Sequence, residues 1–415
     1  MSGVAGTLVA EKRAPVNSFR HERSVGGHSP SAGLRDFAAF ACGVNGISII
    51  WRYRFGPHIF GSGVLLRINI VTPAWNCSAL IGDTIRSVLR QTHADWSMVV
   101  VDDGSTDGTG DAVRRFSDPR LRLLTQGNAG VSAARNRGMA LLDGDAVLFL
   151  DADDVLTPTA LATLADGLDD APWAVAVAGS WARLDPTRPD QAGRGVCPPD
   201  GDVLERLLVR NRYVNGGHLL IRTEAVRQTG AFREDMCFGE DWEYWIRLAL
   251  RGEFARVRDR TPLLLVRERI DGAYASRAVD TEVFRVCLDA TFAVPGLTDR
   301  LGNGRLGTDR LGNGRLGNGR LGTDRLAVLR HRAEADAAWV VGRELIRRDR
   351  ASEGRHWLWR SVRAAPASKR LALLAASIVL PCLPSNWRGP FRPYRAAADQ
   401  AGAWAPAAAA VPDRL

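Results

Sequence analysis

Between residues 66 and 151 the sequence alternates short apolar runs with stretches of helical spacing, and this alternation limits the fold more than any other feature. The runs LRINIVT (66–72) and WSMVVVD (96–102) are rich in the β-branched residues that favour strands. Between them, LIGDTIRSVLRQ (80–91) places its apolar residues at the spacing of one helical face. The pattern predicts a βαβ unit, whose two strands are parallel.

The same alternation continues after this unit. The runs LRLLT (121–125) and AVLFLD (146–151) predict two more strands, and residues 131–142 predict a helix between them. We therefore expect an α/β fold of the Rossmann-like kind, with a mostly parallel sheet flanked by helices. Because ligands bind beyond the carboxyl ends of the strands in such sheets, polar residues at those ends are candidates for a functional site.

Three carboxylates follow the last of these strands. The apolar run of VLFLDADD (147–154) ends in Asp151, Asp153 and Asp154, which repel one another unless something positive lies between them. Two carboxylates separated by one residue offer hard oxygen ligands, so we predict that Asp151 and Asp153 hold Mg²⁺ or Mn²⁺ carrying a diphosphate. The alternative is a set of solvated acids in a loop before a helix that starts near Pro158.

Residues suited to a nucleotide follow the other predicted strands. Pro73 stiffens the turn after the first strand, and Trp75 offers a flat face on which a base could stack. The stretch DDGSTDGT (102–109) supplies carboxylates that can accept hydrogen bonds from a base or a ribose. Gly130 opens a helix N-terminus suited to an anion, and Arg135 can reach toward that anion. Each of these segments could be an ordinary turn or helix cap, but their occurrence at successive strand ends indicates a nucleotide site.

A second pair of acids begins a predicted helix further along the chain. GEDWEYWIRLA (239–249) carries Glu240 and Asp241 in its first turn. A carboxylate in a site of this kind can take the proton of an attacking hydroxyl. Alternatively, both acids complement the helix dipole. His218, which lies in a strand-like stretch before this helix, could contact an acceptor, although a lone histidine beside an apolar strand is more often structural.

In this order and at these intervals, the motifs resemble those of family 2 glycosyltransferases with the GT-A fold. The resemblance covers roughly residues 66–265 and rests on INIVTPAWN, VVVDDGSTDGT, GNAGVSAARNRG, FLDADD and GEDWEYWIRLA. It implies inverting transfer of a sugar from a nucleotide diphosphate sugar, with a UDP-sugar favoured. The implied acceptor is a hydroxyl group on a glycan, a lipid-linked molecule or a small molecule, in the synthesis of cell-surface polysaccharide or glycoconjugate.

The resemblance also implies roles for individual residues. It places the donor nucleotide sugar against Pro73, Trp75, Asn76, Asp102, Asp103, Gly130, Arg135, Asn136 and Asp151. It implies that Asp151 and Asp153 bind the metal ion and that Asp241 is the catalytic base. Glu240 would orient the acceptor or a loop. Trp75 stands where the family more often has tyrosine.

Two other functions fit part of the sequence. VLFLDADDVL (147–156) also resembles the first motif of haloacid-dehalogenase-like phosphatases, in which the first carboxylate becomes phosphorylated. That mechanism uses a downstream cation, usually a lysine, and the only lysine after Asp151 is Lys369. The other alternative is a non-catalytic module that binds sugar nucleotides without turning them over.

The composition argues against further classes. The 415-residue chain is 46% hydrophobic and has a formal net charge of +9, which comes almost entirely from arginine because Lys12 and Lys369 are its only lysines. The arginines are scattered and no groove-reading motif occurs, so we expect no binding to nucleic acid. The six cysteines form no CxxC pair, which fits thiols in a reducing cytoplasm rather than a zinc site.

The regions outside the predicted sheet carry weaker patterns. Residues 1–63 lack a clear amphipathic period, which predicts a disordered extension before a glycosyltransferase domain at 64–270. A connecting segment at 271–300 precedes five pentapeptides at 301–325. Because a five-residue period matches neither helix nor strand, these pentapeptides predict a flexible linker.

The remaining segment, 326–415, predicts helices followed by a disordered tail. It contains the apolar run LALLAASIVLPCL (371–383), which is too short to cross a membrane comfortably as a helix. This run is either a packed helix, which we favour, or a contact with a membrane surface. The expected location is the cytoplasm, with peripheral contact at the inner face of the membrane as an option.

Overall fold

The computed structural model describes residues 37–44, 47–54, 66–184, 195–269, 272–302 and 321–379. The chain divides into two units, 1–65 and 66–415. In the first unit, strand β1 (Phe37–Val44) pairs antiparallel with strand β2 (Ile47–Arg54). The sequence predicts a disordered extension here. The rest of 1–63 lies outside the described residues, so the disordered extension stays a prediction.

The second unit contains ten strands among its described residues. They are β3 (Ile68–Ala74), β4 (Trp96–Asp103), β5 (Leu121–Gln126), β6 (Ala146–Phe149), β7 (Val155–Leu156), β8 (Ala176–Ala178), β9 (Ser180–Arg183), β10 (Leu219–Arg222), β11 (Phe254–Arg256) and β12 (Pro262–Val266).

The helices of the same unit lie between these strands and after them. They are α1 (Ile81–Leu89), α2 (Thr109–Arg114), α3 (Val131–Met139), α4 (Ala160–Asp169), α5 (Leu204–Val209), α6 (Thr223–Thr229), α7 (Glu240–Ala249), α8 (Ala273–Arg277), α9 (Thr281–Phe292), α10 (Leu297–Gly302), α11 (Leu321–Arg347), α12 (Ala351–Ala364) and α13 (Ser368–Val379).

The main sheet has seven strands in the order β11-β8-β10-β6-β3-β4-β5. Only β10 runs antiparallel to its neighbours, β6 and β8; the other pairs in this sheet are parallel. A smaller sheet has the order β7-β12-β9, in which β12 is antiparallel to β7 and parallel to β9. The predicted α/β fold with a mostly parallel sheet is confirmed.

Helices cover both faces of the main sheet. Alternate residues of β3 enter different cores: Val71 packs with α3 and α7 on one face, whereas Ile68 and Ile70 pack with α1 and α4 on the other. Each of these three side chains is 0% exposed. Burial on both faces explains why the strands are continuous apolar runs rather than alternating ones.

The predicted boundaries of the first elements agree with the structure to within a few residues. The largest difference is at α3, which ends at Met139 rather than at residue 142. A second difference concerns the predicted linker at 301–325, because the fifth pentapeptide already belongs to α11. The fifth pentapeptide has one glycine instead of two, and an apolar stretch follows it. Its Arg325 donates two hydrogen bonds, of 2.6 and 2.8 Å, to Glu205 of α5. Residues 303–320, the middle of the linker, lie outside the described part of the chain.

The connecting segment and the C-terminal region are helical where they are described, from α8 to α13. Helix α13 packs Leu373 and Leu374 against Leu358 of α12, which agrees with the favoured packing of the apolar run 371–383. Its other face is open, with Leu371 51% and Ile378 63% exposed. Among the described residues, no helix has the length and apolar character needed to span a bilayer.

The turn that leads into β6 depends on close backbone packing at Gly144. A Cβ added there would stand 2.5 Å from the carbonyl oxygen of Arg67 and 2.8 Å from the side-chain oxygen of Asn69. We expect Gly144→Ala to lower the free energy of unfolding by about 1–3 kcal/mol, because backbone atoms must shift. Urea denaturation measures this change.

The matched control is Gly127→Ala, since a Cβ at Gly127 would meet no heavy atom within 4 Å. The control should leave the denaturation midpoint close to that of the natural sequence. Equal midpoints for the two variants would contradict the expected strain at Gly144.

Candidate active site at the carboxyl ends of the parallel strands

The predicted site residues lie at or just after the carboxyl ends of β3, β4 and β6, just before or within α3, and in the first turn of α7. A chain of polar contacts connects these segments. Asp103 at the end of β4 accepts a hydrogen bond from the backbone N–H of Gly130, which precedes α3. From α3, Arg135 reaches both Asp151 after β6 and Glu240 at the start of α7. The tertiary structure therefore brings the predicted donor site and the predicted base into one region.

The three carboxylates after β6 form a compact cluster. One oxygen from each of Asp151, Asp153 and Asp154 lies within 4.8 Å of the others. Asp154 is fully buried and accepts hydrogen bonds from Asn215 Nδ2 at 2.7 Å and from the backbone N–H of Arg267 at 3.1 Å. Asp151 and Asp153 each keep 26% of their side chain exposed. Asp154 is therefore occupied by protein partners, whereas Asp151 and Asp153 are exposed enough to contact a ligand.

Burial and mutual repulsion both disfavour ionisation of the acids in the cluster. Burial raises the pKa of Asp154 well above its usual value, and the neighbouring Asp153 and Asp151 raise it further. Burial also raises the pKa of Asp151 to about 6, although Arg135 acts in the opposite direction. Carboxylates that are difficult to ionise together gain most from a bound cation.

The donor set suits a divalent cation. Asp151 and Asp153 offer carboxylate oxygens from a short, partly exposed stretch, and Mg²⁺ and Mn²⁺ prefer oxygen ligands of this kind. A bound cation would neutralise the cluster and stabilise negative charge on a neighbouring phosphate. The residues therefore fit the predicted metal.

Arg135 is the main cation of the site. Its side chain is 4% exposed, and its guanidinium donates to Glu240 Oε1 at 2.9 Å and to Asp151 Oδ1 at 3.1 Å. The guanidinium also lies 5.3 Å from the ring centre of Phe232. Burial disfavours the charged form, but Asp151 and Glu240 outweigh it, so the pKa of Arg135 is raised.

A second arginine, Arg269, reaches the acids from the segment after β12. Arg269 Nη1 lies 3.1 Å from Asp153 Oδ2. Together with Arg267, whose backbone N–H bonds Asp154, it follows β12. The apolar run at 262–266 is typical of a strand. Because functional residues often follow the ends of strands, this run is the pattern that could have predicted a role for both arginines.

The predicted nucleoside side contains an exposed aromatic ring. Trp75 is 56% exposed and follows β3, in which Pro73 is buried. Asn76 has a φ of 45° and accepts a hydrogen bond from the backbone N–H of Thr106, while its own N–H donates to Ser105 Oγ. Asn76 therefore joins the loops after β3 and β4, and Trp75 keeps a free face.

The carboxylates at the end of β4 organise the neighbouring loops. Both oxygens of Asp103 accept hydrogen bonds from the segment 126–130, at 2.8 to 2.9 Å. Asp102 accepts from the backbone N–H of Ser105 at 3.0 Å. Gly130 has a φ of 96°, and the space where a Cβ would stand is open to 4 Å. Direct contact of Asp102 and Asp103 with a nucleotide stays a prediction, since protein groups already occupy them.

Asn136 is bound to protein rather than directed to the acid cluster. Its amide donates to the carbonyl oxygen of Phe232 at 2.9 Å and to Glu234 at 2.8 Å, and it accepts from the N–H of Phe232 at 2.7 Å. These contacts fix the segment 232–234 against α3, so a role in nucleotide binding stays a prediction for this residue.

The predicted base lies in the first turn of α7. Asp241 Oδ1 accepts from the backbone N–H of Trp242 at 2.6 Å, and Oδ2 accepts from Asn211 Nδ2 at 3.1 Å. Burial raises the pKa of Asp241 to about 7, and Glu240 adds to this while Arg135 opposes it. A base is most effective when its pKa lies near the working pH, so the environment suits this role.

His218 is structural, as its sequence context favours. It is fully buried, its Nδ1 lies 2.9 Å from the carbonyl oxygen of Gly179, and burial lowers its pKa to about 4.

The family model described as glycosyl transferase family 2 matches residues 69–228. Residues 69–228 are therefore similar to family 2 glycosyltransferases over less than half of the chain. The match begins in β3 and extends through α6, and it includes the strand ends that carry the acid cluster and the predicted donor residues. It favours the glycosyltransferase interpretation over the phosphatase alternative.

Two curated relatives match this chain over a shorter stretch. The UDP-Glc:alpha-D-GlcNAc-diphosphoundecaprenol beta-1,3-glucosyltransferase WfgD of Escherichia coli is 42% identical over 89 residues, which are 21% of this chain and 35% of that protein. Glycosyltransferase GlyA of Streptococcus pneumoniae is 37% identical over 100 residues, which are 24% of this chain and 14% of that protein. The chain therefore spans about a third or less of the length of these relatives.

Among solved structures, the chain is similar to the mannosyltransferase PcManGT of Pyrobaculum calidifontis in complex with GDP-Man and Mn²⁺. The sequence identity is 19%, the likeness covers 79% of this chain and 84% of that one, and the TM-score is 0.45. A likeness at this level adds nothing to the family match.

Removing one member of the exposed acid pair should weaken cation binding. We expect Asp153→Ala to lower the affinity for Mn²⁺ by roughly 10-fold or more, because one of two available ligands is lost and Arg269 is left without this partner. Isothermal titration calorimetry with Mn²⁺ measures the change. Asp166→Asn, an exposed acid of α4, is the control and should bind as the natural sequence does. Equal Mn²⁺ affinity for Asp153→Ala would refute the assignment.

Proposed function

We propose that this chain is an inverting glycosyltransferase that moves a sugar from a nucleotide diphosphate sugar to a hydroxyl acceptor, in the synthesis of a cell-surface polysaccharide or glycoconjugate. The observation that carries the proposal is that Arg135 contacts both Asp151 of the acid pair and Glu240, the residue next to Asp241. The raised pKa of Asp241 supports its proposed role as the base, and the family 2 match over residues 69–228 supports the proposed donor site.

In this proposal, residues after strands β3 and β6 bind the donor nucleotide sugar. Trp75 would stack on the base of the nucleotide, since its ring is 56% exposed. Asp151 and Asp153 would hold Mg²⁺ or Mn²⁺ against the diphosphate. We favour a UDP-sugar as the donor, because the relative WfgD is named for UDP-Glc.

The acceptor half depends on Asp241. A hydroxyl group is a poor nucleophile, so a carboxylate must take its proton while the oxygen attacks the anomeric carbon. Attack from the face opposite the leaving diphosphate is a single displacement, and it inverts the anomeric configuration. Glu240, held by Arg135, would support the acceptor or keep the start of α7 in place.

The main alternative is a module that binds sugar nucleotides without catalysis. The environment of Asp241 favours the enzyme, because a binding module has no need for a carboxylate with a pKa near 7 beside the donor site. The phosphatase alternative has less support, since the cations that contact the acids are Arg135 and Arg269, and Lys369 lies on α13.

A donor screen tests the proposal directly. The purified chain is incubated with Mn²⁺ and UDP-, GDP- and dTDP-sugars, and nucleotide release and thermal stabilisation are measured for each. We expect one nucleotide class to stabilise the protein and to be hydrolysed or transferred. Stabilisation without turnover against any acceptor would favour the binding module, and no stabilisation by any donor would refute the proposal.

Replacing the base separates chemistry from binding. Asp241→Asn keeps the size of the side chain but cannot take a proton, so we expect turnover to fall by about 10²- to 10⁴-fold with nearly unchanged donor binding. Steady-state kinetics and donor titration measure the two effects. Asp170→Asn, an exposed acid at the end of α4, should retain full turnover. Near-normal turnover of Asp241→Asn, or a product with retained configuration, would show that the residue or the mechanism is wrong.

We also propose that α13 contacts a membrane surface. Its open face carries Leu371, Ile378 and Val379, and Lys369 and Arg363 nearby are exposed. Apolar side chains bordered by cations suit anionic lipid headgroups. The relative WfgD is named for an acceptor linked to diphosphoundecaprenol, which is consistent with work at a membrane. Residues 380–383, the end of the predicted apolar run, lie outside the described part.

Vesicle binding tests this contact. The double change Leu371→Glu with Ile378→Glu should reduce co-sedimentation with phosphatidylglycerol vesicles by at least about 10-fold, because it places two charges on the apolar face. Ser352→Glu, an exposed change on α12, is the control for added negative charge. Absence of binding by the natural sequence, or equal binding by the double variant, would contradict the proposed contact.

A further inference from the structure

Asp241 is held by a residue that lies 30 positions earlier in the chain. Within the described residues, its carboxylate accepts hydrogen bonds from the backbone N–H of Trp242 and from Asn211 Nδ2. The Trp242 contact belongs to the same helix and does not fix Asp241 relative to other elements. Asn211, which lies just after α5, is the side chain that reaches Asp241 from another segment.

The orientation of the Asn211 amide follows from its second contact. Its Oδ1 accepts from the backbone N–H of Tyr213 at 3.1 Å. If the amide were turned over, its oxygen would face the Asp241 carboxylate and its NH₂ group would face an N–H, and both contacts would be repulsive. The amide therefore presents its donor to Asp241.

The loop that carries Asn211 is anchored on both sides. Tyr213 is fully buried, and its hydroxyl donates to the carbonyl oxygen of Pro199 at 2.8 Å. On the other side, Arg210 forms a two-bond ion pair with Asp336 of α11, and its guanidinium lies 4.4 Å from the ring centre of Trp339. A donor held in this way has little freedom to follow a moving carboxylate, so it can impose an orientation.

A donor at this position serves a base in two ways. It limits rotation of the carboxylate, so the free lone pairs keep one direction toward the attacking hydroxyl. It also favours the ionised form, because a hydrogen bond to a carboxylate stabilises its negative charge. Burial, Glu240 and Asp151 act against ionisation of Asp241, while Arg135 and the N–H of Trp242 favour it. A donor from Asn211 acts in the same direction as Arg135.

We propose that Asn211 is a positioning residue for the Asp241 base, and that its amide holds the carboxylate in the orientation in which it takes the proton of the acceptor. This proposal rests on the proposed glycosyltransferase function. Asn211 acts through Asp241 and makes no contact with the Asp151 and Asp153 pair among its hydrogen bonds.

Two substitutions test the role of the amide. Asn211→Ala removes both contacts. Asn211→Asp has nearly the same shape and keeps an oxygen for the N–H of Tyr213, but it places a second carboxylate against Asp241. Arg206→Ala, an exposed change on α5, is the control. For each variant, kcat and the KM for the donor are measured from about pH 5 to pH 9.

The expected effect is on turnover and on its dependence on pH. Activity rises with pH as the base loses its proton, and loss of a donor raises the pKa of the carboxylate. We therefore expect Asn211→Ala to lower kcat by roughly 10-fold and to move the acidic limb of the profile upward by about half a pH unit or more. Asn211→Asp should move the limb further, and its activity should recover in part at high pH. The KM for the donor should stay within about 2-fold in both variants, since Asn211 acts on the base.

Each outcome decides the proposal. Unchanged turnover, or a fall in kcat with no shift of the acidic limb in either variant, would overturn the positioning role and leave the glycosyltransferase function intact. A larger change in donor KM than in kcat would place Asn211 in donor binding and would also overturn it. If Asn211→Ala does not fold, Asn211→Asp supplies the same comparison. Absence of transfer by the natural sequence would refute the proposed function and this proposal together.

Discussion

The buried guanidinium of Arg135 is the contact on which the arrangement of the site depends. It connects Asp151 after β6 with Glu240 at the start of α7, and it lies on α3 between them. A buried charge is tolerated only when its partners are in place, and removing one partner costs about 3–5 kcal/mol. The Arg135 side chain therefore connects α3 with the loop that carries Asp151 and with the start of α7, next to the predicted base.

The remaining charges of the site are balanced only in part. Arg135 and Arg269 each contact one acid of the cluster, and the backbone N–H of Arg267 contacts Asp154. Burial raises the pKa of Asp151 and of Asp154, and the neighbouring acids raise both further. A cluster of this kind is stable enough to fold and still gains from a divalent cation, which is the property that the proposed donor site requires.

The C-terminal helices are part of the support of the site. Helix α11 contacts the loop before Asn211 through the pair of Asp336 with Arg210, and it contacts the segment after β12 through the pair of Arg347 with Glu268. Glu268 stands next to Arg269, which reaches Asp153. Helix α11 therefore contacts both the segment next to the residue that holds the predicted base and the segment next to the acid cluster. These contacts indicate that the helical region supports the site.

The sequence by itself determined the mostly parallel sheet and the positions of Asp151, Asp153 and Asp241, because apolar periodicity and strand ends are local properties of the chain. It could not give the antiparallel β10, nor the partners of these acids. Arg269 pairs with Asp153 across 116 residues and Asn211 with Asp241 across 30. Such contacts depend on which segments the packed core brings together, and no local pattern records them, so only the tertiary structure decided how the site is held and balanced.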